Sequence, residues 1–120
     1  MIVRYLVSDV ERAVRFYAEA LDFTLDSQMG DAFAIVKRDD LELWLSGPHT
    51  SAARAMPNGD KPEPGGWNRF VVTVKDIEGT ATLLADLDVV FRGEIISGPG
   101  GKQLLIQDSE GNPIELFQPR

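Results

Sequence analysis

Residues 2–7, Ile-Val-Arg-Tyr-Leu-Val, form a β-branched and aromatic-rich run that predicts a strand. Ser8 and Glu11 read as a capping box, so a helix is expected to begin there. Val10, Ala13, Val14, Tyr17 and Leu21 then fall at helical spacing and make one apolar stripe. Two strands are predicted over 22–30 and 31–37, joined by a Gly-Asp turn. Another turn at Arg38-Asp39-Asp40 leads into a strand over 41–45. Residues 46–66 break this rhythm with four prolines and four glycines and read as a long connection. The rhythm resumes with a strand over 67–74 and a helix over 76–87. That helix has Asp76 at its N-cap and Ile77, Ala81, Leu84 and Leu87 on one side. Strands follow over 89–95, 102–107 and 113–118, the first two flanking the turn Gly98-Pro99-Gly100-Gly101.

The order is strand, helix, three strands, linker, and the same again. Two internal matches support a duplication. Val7-Ser8-Asp9-Val10-Glu11 aligns with Val74-Lys75-Asp76-Ile77-Glu78 at an offset of 67, and Leu41-Glu42-Leu43-Trp44 with Ile114-Glu115-Leu116-Phe117 at an offset of 73. The six-residue difference predicts an insertion in the hairpins of the second half. The expectation is an α+β domain over 1–120, with one βαβββ module over 1–46, a linker over 47–66 and a second module over 67–118. Its mixed sheet would be curved and cup-like, with the helices on the outer face.

Alternation sorts each strand into two faces. Val3, Tyr5 and Val7, then Leu41, Leu43 and Leu45, Phe70, Val72 and Val74, and Ile114 and Leu116 give a wholly apolar face for the helices to cover. The opposite face mixes apolar residues with Arg4, Glu42, Arg69 and Glu115. An apolar surface with a few convergent charges suits a small-molecule ligand. It also reads as a solvated sheet face, or as ion pairs within the sheet.

The formal net charge is −7, which argues against a nucleic-acid or anionic-membrane partner. The absence of cysteine excludes disulfides, zinc–thiolate sites, iron–sulfur clusters and thiol nucleophiles, and a single histidine, His49, argues against a multi-histidine metal site. No signal peptide is visible and no apolar run approaches a membrane span, so a cytoplasmic protein is expected. The glycines at 98–101 sit in a strand–strand hairpin and not before a helix, so they read as a turn and not a phosphate loop.

The helix-one segment Val-Ser-Asp-Val-Glu-Arg-Ala-Val-Arg-Phe-Tyr and the closing Gly111-Asn112-Pro113-Ile114-Glu115-Leu116 resemble the vicinal-oxygen-chelate superfamily over the whole chain. That group includes glyoxalase I, extradiol dioxygenases, fosfomycin-resistance enzymes and bleomycin-resistance proteins. The resemblance implies homodimers with cups completed across the interface. It also implies a metal held by one residue from each of the first, fourth, fifth and eighth strands, typically His or Gln, Glu, His and Glu. In this chain those positions are Ile2, Glu42, Arg69 and Glu115. Ile2 has no donor atom, and Arg69 is a permanent cation that cannot ligate a metal.

The expectation is therefore no metal and no other cofactor, with a divalent ion disfavoured. Arg69 would take the metal's electrostatic place, paired with Glu115 or Glu42. Retention of the cup without its ligands is similar to the bleomycin-resistance branch, which sequesters a drug unchanged. Arg4, Glu42, Trp44, Trp67, Arg69, Glu115 and Phe117 are the expected ligand-binding residues, the aromatics acting as flat walls. The alternative is a lyase, isomerase or dioxygenase using Glu42 and Glu115 at a metal, or either as base with Arg69 stabilising an oxyanion. A third reading is an interaction module whose cup is filled by its own 46–66 loop.

Overall fold

A computed structural model describes all residues, Met1–Arg120. The chain divides into two compact units, Met1–Gly65 and Gly66–Arg120. The first holds β1 (Ile2–Leu6), α1 (Val10–Leu21), β2 (Thr24–Met29), β3 (Phe33–Arg38) and β4 (Leu41–Ser46). The second holds β5 (Phe70–Thr73), α2 (Ile77–Asp86), β6 (Ile96–Gly98), β7 (Gly101–Gln107) and β8 (Pro113–Pro119). This is the tandem βαβββ, α+β fold that the chain pattern predicts. Each unit has its own four-stranded mixed sheet, ordered β1-β4-β3-β2 and β5-β8-β7-β6. In both, the first strand lies parallel to the last, and the other pairings are antiparallel.

The apolar face predicted from alternation is the core. Ala34, Val36, Leu43 and Leu45 are buried in the first unit together with Val10, Ala13, Tyr17 and Leu21 of α1. Phe70, Val72, Leu104, Ile106, Ile114 and Leu116 are buried in the second, with Ile77 and Leu84 of α2. Each such Val, Leu or Ile side chain stabilises the fold by about 1.5–3 kcal/mol relative to exposure.

The helix starts obey one rule. Asp9, not Ser8, is the N-cap of α1, and its carboxylate accepts from the Arg12 N–H at 3.1 Å. The expected capping box of Ser8 and Glu11 is displaced by one residue, because the aspartate supplies the acceptor. Asp76 caps α2 in the same way through the Gly79 N–H at 3.1 Å. At the far end of α1, Asp22 turns left-handed (φ 59°), the Phe23 N–H returns to the Tyr17 carbonyl at 3.0 Å, and Arg38 donates to the Leu21 carbonyl. Lys102 on β7 donates to Glu78 in the first turn of α2 and holds its carboxyl below the ordinary value.

Three further expectations change. The strand expected over 67–74 begins only at Phe70, so Trp67, Asn68 and Arg69 lead into it. The strand expected over 89–95 is absent: Asp88 turns left-handed (φ 60°), only Phe91 bridges to Ile106, and ladder pairing begins at Ile96. Leu87 ends α2 as its C-cap and stands 51% exposed, so it does not extend the buried stripe. The insertion lies in a hairpin of the second half, as expected, mainly between the last two strands. Two residues separate Arg38 from its ladder partner Leu41, whereas seven separate Ile106 from Ile114.

That longer turn is built around Asp108, which is 5% exposed. Its carboxylate accepts from the Glu110 N–H at 2.8 Å, the Asn112 N–H at 2.9 Å and the Asn112 side-chain amide at 3.0 Å. Gly111 supplies the left-handed residue (φ 82°) that the turn requires. Asp108→Ala strands three donors and is expected to lower stability by about 2–3 kcal/mol in urea unfolding, with an unchanged m-value. Asp9→Ala removes one exposed cap and is expected to cost about 1 kcal/mol in the same measurement.

Candidate functional site

The faces opposite the two cores carry the chemistry. In the first unit the parallel register pairs Ile2 with Glu42 and Arg4 with Trp44. The Arg4 guanidinium lies over the Trp44 ring, 5.0 Å from its centroid, and Phe33 meets the same ring edge-on at 5.8 Å. The Trp44 indole N–H donates to Glu42 Oε2 at 2.7 Å. Lys37 Nζ lies 3.7 Å from Glu42 Oε1 and 3.4 Å from Asp26. The result is a fixed indole wall held between a cation and a carboxylate. A cation over an indole adds about 0.5–1 kcal/mol when exposed and more when water is excluded.

In the second unit Val71 pairs with Glu115 and Thr73 with Phe117, so Glu115 and Phe117 share the open face. Arg69 reaches Glu115 Oε1 through Nη2 at 2.9 Å and Nε at 3.2 Å, and its Nη1 donates to the Trp67 carbonyl at 3.3 Å. Both donors share one carboxylate oxygen. The pair is largely shielded, with side chains 30% and 14% exposed. The expected choice between Glu115 and Glu42 as partner therefore falls on Glu115.

Arg92 is the residue that sequence reasoning missed. Its Nε donates to Gln107 Oε1 at 2.8 Å, Nη1 to the Gly66 carbonyl at 2.6 Å and Nη2 to the Gly111 carbonyl at 2.8 Å. Its guanidinium lies 4.5 Å from the Trp67 centroid, while Trp67 is 68% exposed. One arginine thus fixes the Gly65-Gly66 turn, where both glycines have positive φ (111° and 95°), and the Asp108 turn, and it backs an exposed indole. The available signal was an arginine beside Phe91 in an apolar run, but the irregular backbone there defeats a period-2 reading.

The seven expected ligand-binding residues thus fall into two groups. Arg4, Glu42 and Trp44 share one face, and Trp67, Arg69, Glu115 and Phe117 gather in the second unit. The donors do not suit a metal at the four positions that the resemblance points to. Ile2 is aliphatic, Arg69 is cationic, Glu115 is bound by Arg69, and Glu42 is engaged by an indole and an ammonium. Nowhere do three His, Cys, Asp or Glu side chains converge as a metal would need. His49 lies exposed beside a cavity of about 380 Å³ lined also by Ser8, Asp9, Glu11 and Asp31.

The chain belongs to the Glyoxalase/Bleomycin resistance protein/Dioxygenase superfamily, whose family model matches residues 2–116. Among solved structures it is similar to TnmS3, an antibiotic binding protein from Streptomyces sp. CB03234, at 28% identity and a TM-score of 0.74, covering 99% of this chain and 93% of that one. It is also similar to a lactoylglutathione lyase from Agrobacterium tumefaciens (20% identity, TM-score 0.75, 98% and 91% covered). TioX from Micromonospora sp. ML1 matches at 18% identity and a TM-score of 0.78, with 100% and 98% covered. These last two show the fold alone. None of the curated proteins matches the chain. No helix is long and apolar enough to cross a membrane.

Arg92→Met removes three hydrogen bonds and the cation behind Trp67. It is expected to cost about 2 kcal/mol in urea unfolding and to flatten the near-ultraviolet tryptophan dichroism. Arg4→Met is expected to cost under about 1 kcal/mol, because it removes one exposed cation–π contact.

Proposed function

We propose that this chain is a metal-free binding protein that sequesters an aromatic small molecule, of the antibiotic kind, against the open faces of its sheets and releases it unchanged. The observation that carries this reading is Arg69. It stands where metal-using relatives are expected to place a nitrogen ligand, and it occupies a Glu115 oxygen with two donors. A guanidinium gives fixed charge but no open coordination position, so the Lewis-acid chemistry of vicinal oxygens has no seat there. Catalysis through Glu42 and Glu115 would need free carboxylates, and both are engaged.

The first unit's face offers a ligand the braced indole of Trp44, and the second unit's face offers Trp67, Phe117 and polar groups already held in place. Rigid walls of this kind bind with little entropy cost. The likeness to an antibiotic binding protein supports the same class of ligand.

A thermal-shift screen of aromatic antibiotics tests the reading. At least one compound is expected to raise Tm saturably and to be recovered with unaltered mass. Arg69→Met is then expected to weaken its binding at least about tenfold, as loss of a charge-assisted anchor would. A chemically converted compound would overturn the reading. An affinity unchanged in Arg69→Met, with only stability lowered, would reduce Arg69 to a structural ion-pair member and overturn its place in the site.

A further inference from the structure

The first unit contains a second, smaller cavity that none of the seven residues above lines. It measures about 180 Å³ and lies at the carboxyl ends of β1 and β4. Its floor includes Leu6 and Ser46, which are register partners on the parallel pair. Its roof comes from the linker, with Pro48, Lys61, Pro62 and Pro64. Ser46 follows Trp44 by two residues, so its side chain leaves the same face of β4, and the Val7 N–H closes the ladder there on the Ser46 carbonyl at 3.0 Å.

Ser46 is fully buried, yet its hydroxyl has no hydrogen-bond partner. Buried hydroxyls in folded proteins nearly always have one. Lys61 lines the same cavity and takes part in no ion pair. The three prolines present apolar rings and lack N–H groups that would themselves need acceptors. An apolar cavity of about 150 Å³ holds one benzene molecule in another protein, so this volume admits a single ring or a short branched chain with one polar group.

We infer that this cavity binds a small monocarboxylate of about benzoate's size. The carboxylate would accept from the Ser46 hydroxyl and pair with the Lys61 ammonium, while the ring or chain packs on Leu6 and the prolines. A carboxylate meets both observations, since it supplies an acceptor for the orphan hydroxyl and a charge for the unpaired cation. This site shares no residue with the binding set proposed above, and it stands or falls without Arg69.

The test is a titration of the full-length protein with sodium benzoate, followed by amide chemical shifts, with benzylamine as a ring of opposite charge. Saturable shifts are expected at the amides of residues 6–8, 46, 47, 49–53, 60, 61, 63 and 65 with benzoate and not with benzylamine. Lys61→Met is expected to weaken binding about tenfold, consistent with loss of a charge-assisted contact. Ser46→Ala removes a hydroxyl with no partner, so it is expected to weaken benzoate binding while leaving Tm unchanged or higher. Arg69→Met is expected to leave benzoate binding intact, which separates this site from the open face. No saturable shift would mean that the cavity holds water alone, and the inference fails. Equal response to benzylamine, or benzoate affinity indifferent to both Lys61→Met and Ser46→Ala, would also overturn it.

Discussion

The parallel pairing of the first and last strands in each module is the constraint on which the rest depends. A parallel pair needs a crossover, and here the crossover begins with a helix whose apolar stripe covers one sheet face. Alternation then leaves Arg4, Glu42 and Trp44, and Glu115 and Phe117, on the other face. The registers Ile2 with Glu42 and Arg4 with Trp44, then Val71 with Glu115 and Thr73 with Phe117, follow from that single arrangement. The two modules spend the same geometry on different chemistry: a braced indole in one and a shielded ion pair in the other.

Arginine governs the electrostatics of the second face. Arg69 holds one oxygen of Glu115, and Arg92 ties two turns together while backing Trp67. Both side chains are committed to several acceptors at once. On such a face the polar groups already hold one another in place. A metal centre would instead offer an exchangeable position where substrate oxygens bind and are polarised. On the proposed reading, a guanidinium where relatives are expected to carry a nitrogen ligand would change what the fold can do while its scaffold is kept.

Much of this was legible in the chain itself. The duplicated segments beginning at Val7 and Val74, and at Leu41 and Ile114, announced the tandem modules because each repeats a helix entry or a central strand. The core face emerged from simple alternation, since both central strands are regular. The pairing of Arg69 with Glu115 was half legible, because face assignment brought the two types together but could not choose between two glutamates. Arg92 was not legible, because it lies in an irregular stretch where tertiary hydrogen bonds, not periodicity, fix the backbone. The aspartate caps were misplaced by one residue in α1 because Ser8 and Asp9 are both good capping residues, and only geometry decides between neighbours. The cavity beneath the linker was equally invisible, since its walls come from segments far apart in sequence.

The central claim is that Arg69 has replaced metal ligation by a fixed ion pair. Calorimetric titration of chelator-washed, untagged protein with nickel or zinc tests it most directly. The account predicts no saturable uptake. Binding of one ion per chain, lost in Glu115→Gln, would contradict it.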